Sequence, residues 1–277
     1  MFWSHGWDEV RQDERTRARL SSFVEGLQAS GRYTFRRAEP EVANGSSPVA
    51  VQASLRRLKQ KGRIVSPRRG FYVIVPAEYR AAGAPPASWF IHDLMGYLDQ
   101  PYYVGLLSAA AIHGAAHQQP MVFQVVTDRR TRSMHVGRAR ILFVHSAHVN
   151  EVPVTQVETE TGTMRVATTE ATAFDLVRHV AQAGHLSNVA TVLAELGESI
   201  DPDRLQAMAR STRVPDVQRL GYLLDLVQHS ALADRLAEVL ATRPHRRVAL
   251  HPGLQDPGVE VEHRFRVAPN VTVEPDL

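Results

Sequence analysis

Between residues 47 and 76 the apolar positions change period. Val51, Leu55 and Leu58 fall at i, i+4 and i+7, one face of a helix. Beyond Gly62 the apolar residues gather into two short runs flanking Pro67-Arg68-Arg69-Gly70. The pattern predicts a helix capped by Ser47, with Pro48 at its first position, where proline costs no hydrogen bond. It also predicts a stop at Gly62 and a hairpin of strands Arg63–Ser66 and Phe71–Val75. Upstream, Val10, Leu20, Phe23, Val24 and Leu27 partly follow helical spacing, giving a helix over 9–29 that ends at Gly31. A second helix is predicted over Tyr33–Ala43, with Thr34 as cap, Gly45 as stop and Pro40 blurring its start. Three helices and a hairpin make a winged helix-turn-helix.

After the hairpin, Ala81–Ser88 (AAGAPPAS) reads as a linker. Helices are expected around Trp89–Asp99 and Gly105–Ala115. Strands follow over Met121–Thr127, Ala139–His145, Val152–Glu158 and Met164–Ala167, the last two joined at Thr161-Gly162. Thr168 and Thr169 open a helix running to His179. Further helices fit Ser187–Leu196, Asp201–Ala209, Val217–Val227 and Ala231–Ala241, and the tail from Val248 to Val273 has strand-like patches. The class is α+β, a smaller winged-helix domain (residues 1–80), a linker (81–88) and a larger mixed α+β domain (89–277).

Charge gives the first domain its meaning. The net charge is only +3, but residues 1–80 hold 15 Lys/Arg against 8 Asp/Glu, while residues 81–277 hold 17 against 21. Gln52–Arg69 contains seven Lys/Arg and no acid. A basic end on a mildly acidic body fits a nucleic-acid module joined to a different partner domain. On the predicted third helix, the face opposite the apolar stripe carries Val49, Gln52, Ala53, Arg56, Arg57 and Gln60. Gln pairs with adenine, Arg with guanine, and Val or Ala packs on a thymine methyl. Ser46 and Ser47 lie at the helix N-terminus, where hydroxyls and amides suit a phosphate. Lys59, Lys61 and Arg63 are placed for phosphates beside the groove, and Arg68 and Arg69 for phosphates or the minor groove at the wing. Arg32, Arg36 and Arg37 are additional candidates, with packing or solvation as the alternative. A second basic cluster, Arg129, Arg130, Arg132, Arg138 and Arg140, reads either as a solvated loop or as a second DNA contact or docking surface.

Chemistry elsewhere is sparse. There are no cysteines, which excludes disulfides and thiolate metal sites and fits a reducing compartment. No apolar run approaches a membrane span and the first residues lack a secretory pattern. His113 and His117 have a metal-ligand spacing, but Gly114 stands where a zincin has Glu, and a packed histidine pair explains them. No phosphate loop or nucleophile elbow is present, and both lysines of the chain, Lys59 and Lys61, lie in the basic segment, so the larger domain has no catalytic lysine. Acidic metal ligands drawn from Asp128, Glu158, Glu160, Glu170 and Asp175 are the remaining enzymatic option, a nuclease or transferase. Trp89, Phe90, Tyr102 and Tyr103 would line a ligand pocket or pack in a core. The expectation is no catalytic residue, no metal and no cofactor.

Three stretches resemble the AbiEi-type antitoxins of type IV toxin–antitoxin systems. They are LRRLKQKGRIVSPRRGFYVIVP, PYYVGLLSAAAIHGAAHQQPMVFQVVTDRR and TTEATAFDLVRH. The resemblance implies a bacterial, cytoplasmic, non-enzymatic protein with two activities. Its N-terminal domain would repress its own operon by binding double-stranded DNA at inverted repeats upstream. Its C-terminal domain would counter a nucleotidyltransferase-like toxin without requiring a stable complex. The family's DNA-reading helix carries over onto Gln52, Arg56 and Arg57, and its wing onto Arg68 and Arg69.

Overall fold

The computed structural model of the protein describes residues 18–44, 47–115, 121–254, 258 and 260–276. The expected first helix lies partly outside them. Residues 18–29 are helical (α1), with Leu20 and Val24 buried in the cluster of apolar side chains beneath the basic segment. The expected second helix is divided. Thr34–Arg36 is a strand (β1) and only Ala38–Asn44 is helical (α2). Alternation decides this: Phe35 stacks on Tyr72 at 5.2 Å, and β1 pairs antiparallel with β3, Phe35 opposite Tyr72. Thr34 is therefore no cap. The backbone N–H of Arg36 instead donates to Glu39 Oε1 at 2.6 Å, and Pro40 sits in the first turn of α2, where it breaks no hydrogen bond.

Helix α3 (Pro48–Gln60) matches expectation. Ser47 Oγ accepts from the Ala50 N–H at 3.3 Å, and Val51, Leu55 and Leu58 are buried together with Ser54. The hairpin comprises β2 (Ile64–Arg68) and β3 (Phe71–Ile74), and the strand order is β1-β3-β2. Strand β2 runs two residues further than predicted. Pro67 has no N–H to give the ladder, and the register shifts between Val65 and Arg68 before Arg68 pairs with Phe71. The turn is thus Arg69-Gly70, with Gly70 at φ +84°.

The stretch read as a linker is a series of turns between single 3-10 turns at Ala77–Tyr79 and Ala87–Trp89. Next come α4 (Ile91–Leu98), β4 (Tyr102–Val104), α5 (Leu106–Ile112), β5 (Phe123–Thr127), β6 (Met134–Val136), β7 (Ala139–His145), β8 (Val154–Thr159) and β9 (Gly162–Ala167). Strand order is β6-β7-β5-β4-β9-β8, with β4 and β9 parallel. Strands β4 and β6 were not predicted, because three residues are too few to show a period. Helices α6 (Thr169–Arg178), α7 (His185–Leu196), α8 (Pro202–Ser211), α9 (Val214–Leu226) and α10 (Ser230–Ala241) fall within a few residues of expectation. Thr168 and Asp201 cap α6 and α8 through their side-chain oxygens. The strand-like tail reduces to a two-residue parallel pair, β10 (Val248–Ala249) with β11 (Val267–Ala268). Among the described residues no helix is long and apolar enough to cross a membrane.

By compactness the chain divides into two units. The first continues from the basic segment through Tyr102 and takes in Thr127–Ala147 and Gln156–Met164. The second takes in Tyr103–Val126, His148–Thr155 and the chain from Arg165 onward.

The second unit buries a polar chain along α6 and α9. Arg178 Nε lies 3.2 Å from Asp216 Oδ2 and Arg178 Nη1 3.8 Å from Asp175 Oδ1, while Arg219 approaches Asp216 at 3.7 Å. Burial pushes Asp175 up to about 6, partly offset by Tyr103 and Arg178. Burial, then the Arg178 charge, pull His179 down to about 4. These shifts oppose each other. Folded Asp175 keeps its proton above the unfolded carboxylate pKa of about 3.9, so its contribution falls as pH rises toward 6. Folded His179 has already lost its proton where the unfolded imidazole, of pKa about 6.5, still holds one, so its contribution grows with pH.

Unfolding in urea should therefore depend little on pH between about 4 and 6 in the parent protein. In Asp175→Asn the stability should climb through that window, because only the His179 contribution remains; an unchanged flat profile would contradict the assignment. A second expectation concerns Gly221 on α9. A Cβ there would come within 2.3 Å of the ring of fully buried Phe265. Gly221→Ala should lower stability by about 1–3 kcal/mol in thermal melting through overpacking, despite alanine's better helix propensity.

Candidate nucleic-acid interface

Burial of Val51, Leu55 and Leu58 fixes the rotation of α3 and turns Val49, Gln52, Arg56, Lys59 and Gln60 outward. These residues form one wall of an open groove of about 1330 Å³ within the first compact unit. Ser66, Arg69 and Gly70 of the hairpin, Arg36 at the end of β1 and Arg37 between β1 and α2 supply other parts of its lining. Val49, at the start of this face, is 79% exposed.

The predicted site residues separate within this geometry. Gln52, Arg56, Lys59 and Arg69 line the groove together. Ser47 is exposed at the helix start, its Oγ used in the cap. Arg57, Lys61, Arg63 and Arg68 do not line the groove. Arg57 is half-buried, Lys61 lies at the C-cap of α3, and Arg63 pairs with Glu25 at 3.3 Å. Arg68 is half-buried with an unpartnered Nε. Ser46 lies outside the described residues. Arg37 forms an ion pair with Glu41 at 3.2 Å, and Arg32 is taken up by Glu39 at 2.7 Å.

Tyr97 completes the groove from outside the predicted domain. Its hydroxyl donates to the Arg69 carbonyl at 2.8 Å, at the tip of the hairpin. Its ring lies 5.3 Å from Phe71 and carries the Arg36 guanidinium at 5.6 Å. A Cβ on Gly70 would come within 2.7 Å of the Tyr97 hydroxyl, so glycine at the tip permits both the positive φ and the close approach. On the same helix, Asp93 accepts a hydrogen bond from Thr34. Sequence reasoning missed Tyr97 because it lies beyond the linker. The signal that finds it is the packing of α4 on the sheet.

The other candidates are used structurally. His113 Nε2 lies 2.7 Å from the Ala167 carbonyl, a packed histidine; His117 lies outside the described residues. Glu170 Oε1 accepts from the Asp201 N–H at 3.1 Å and from Thr169 Oγ1 at 3.0 Å, which links the starts of α6 and α8. Among the described residues, no group of three His, Asp or Glu is arranged to hold a metal. Phe90, Tyr102 and Tyr103 are buried, and Trp89 makes edge contacts with Tyr33 and Tyr79. These aromatics pack within their units.

Residues 103–226 match the family model described as the AbiEi antitoxin C-terminal domain. The whole fold is similar to the crystal structure of the RV2827C protein from Mycobacterium tuberculosis. The TM-score is 0.65 at 15% identity, covering 91% of this chain and 90% of that one. No curated protein matches in sequence.

Tyr97→Phe retains the ring contacts and removes only the bond to Arg69. It should cost about 1 kcal/mol and speed amide exchange at the hairpin tip while leaving exchange in α3 unchanged. Hydrogen exchange by mass spectrometry distinguishes this local loosening from global destabilisation.

Proposed function

We propose that this chain is an AbiEi-type antitoxin, a reading supported by the match of residues 103–226 to the AbiEi antitoxin C-terminal domain, and that it also represses its own operon through a winged helix-turn-helix formed by α1–α3 and the β2–β3 wing. One observation carries the DNA-binding half: an exposed helix face bearing Gln52, Arg56 and Lys59 opens on the same groove as Arg69 of the hairpin. A helix enters a major groove about 12 Å wide, where Gln and Arg read base edges and exposed Val49 meets a thymine methyl. Lys59 and Arg69 take phosphates and set the register. Tyr97 holds the tip of the hairpin through its bond to the Arg69 carbonyl. The partner implied is duplex DNA upstream of the operon, at inverted repeats, in the bacterial cytoplasm. The family implies a toxin as functional partner, and we assign it to the nucleotidyltransferase-like class, countered without a stable complex. The regulatory character of the family supports a non-enzymatic role.

Gel shifts on the protein's own upstream region test the repressor reading. Binding should exceed that to scrambled DNA, and Gln52→Ala should relax discrimination at one base position by about 1–3 kcal/mol. Arg69→Ala should weaken all sequences alike and reduce the salt slope by about 0.9 for the lost phosphate contact. Equal affinity for operator and scrambled DNA would refute specific repression. Rescue of growth on co-expression with the neighbouring toxin gene tests neutralisation separately.

A further inference from the structure

The loop and hairpin over residues 129–140 (RRTRSMHVGRAR) carry five arginines and no acid. All five, Arg129, Arg130, Arg132, Arg138 and Arg140, are exposed, and among the described residues none has an ion-pair partner. Burial alternates along the hairpin: Met134, Val136 and Ile141 point inward, while His135 and Arg140 face each other across the β6–β7 ladder on the outer side. The pleat therefore displays Arg140 outward, and Arg138 stands exposed at the turn beside it.

The hairpin is also held in position. The Arg138 N–H donates to the Ala82 carbonyl at 2.7 Å. Gly137, at φ +58°, rests so closely on the Ala82–Ala84 backbone that a side chain there would collide with it. The loop is tied at its root, where Thr127 Oγ1 donates to the Pro101 carbonyl at 2.9 Å. Within the same compact unit, β6 lies directly beside β2, the wing strand whose Ser66 lines the groove. β2 and β6 are each the end strand of their sheet. Two arginine-bearing hairpins are thus neighbours, an accumulation of like charge that a polyanion relieves. Exposed apolar side chains are absent from the cluster, so the surface offers charge rather than a hydrophobic anchor.

We propose that the β6–β7 hairpin and its preceding loop form a second phosphate-binding ridge, which extends the DNA contact beyond the wing. This rests on the DNA-binding reading above and makes a separate demand on it. The bound duplex is longer than a single helix-and-wing module covers, and the extension is blind to sequence.

The experiment compares three full-length proteins on the operator and on scrambled duplexes over a range of salt. They are the parent, Arg138→Ala/Arg140→Ala, and a charge-matched control, Arg204→Ala/Arg210→Ala on α8. Circular dichroism verifies that each is folded. The ridge variant should lower the salt slope by up to about 1.8, at about 0.9 per phosphate contact, and weaken both duplexes equally. It should also shorten the hydroxyl-radical footprint on the wing side, while the control matches the parent. An unchanged slope and footprint in the ridge variant, with Arg69→Ala still lowering both, would overturn the ridge and leave the groove intact. Intact DNA binding with lost rescue from the toxin would also overturn it, assigning the surface to a protein partner. Failure of the parent to bind any duplex would overturn the groove reading itself.

Discussion

Everything on the basic face depends on how α3 is rotated, and burial of Val51, Leu55 and Leu58 sets that rotation. These side chains join Leu20, Val24, Phe35 and Ile64 in one cluster, and a twist of the helix would carry at least one of them into water at about 1.5–3 kcal/mol each. With that face fixed, Gln52, Arg56 and Lys59 are directed outward together. A surface charge by itself costs little to move. The apolar stripe behind these residues is what fixes the direction in which they project.

A second constraint places the hairpin. An isolated two-stranded hairpin is only marginally stable in water, and here it is braced twice. Strand β1 adds a third strand on the far side of β3, and α4 delivers Tyr97 to the turn. The brace comes from residues beyond the stretch read as a linker, so the basic groove and α4 fall in one compact unit. The same unit contains the arginine hairpin, anchored by backbone contacts that only glycine at position 137 permits. Placement of charge on this surface thus relies on close backbone approaches at Gly70 and Gly137.

The second unit is organised around buried polar groups instead. Asp175, Arg178, Asp216 and Arg219 form a chain between α6 and α9, and Gln218 donates from α9 to the carbonyls of Arg246 and Phe265. Buried charges of this kind add little net stability, but each missing partner would be expensive, so they favour one packing of the helices over others. Asp175 and His179 shift in opposite directions within a single helix.

The sequence alone determined what short-range chemistry controls. Period 3.6 in Val51, Leu55 and Leu58, the Ser47 and Thr168 caps and the glycine stops gave the long helices. The resemblance in the second half is borne out by the family match over 103–226. Tertiary structure decided whatever depends on pairing between distant segments. Thr34–Arg36 has turn and helix signals locally, yet it becomes a strand because β3 offers an unpaired edge and Tyr72 a ring to stack on. Strands of three residues, β4 and β6, carry no period to read, since their identity lies in their neighbours. The charge run from Gln52 to Arg69 was visible as a unit, but only packing separated Gln52, Arg56, Lys59 and Arg69, which share the groove, from Arg63, which is spent on Glu25. Tyr97 was out of reach for the same reason, whereas the second arginine cluster was visible as a charge run and only its neighbourhood to β2 was not. A sequence records which side chains are present, whereas long-range contacts decide which of them face the same space.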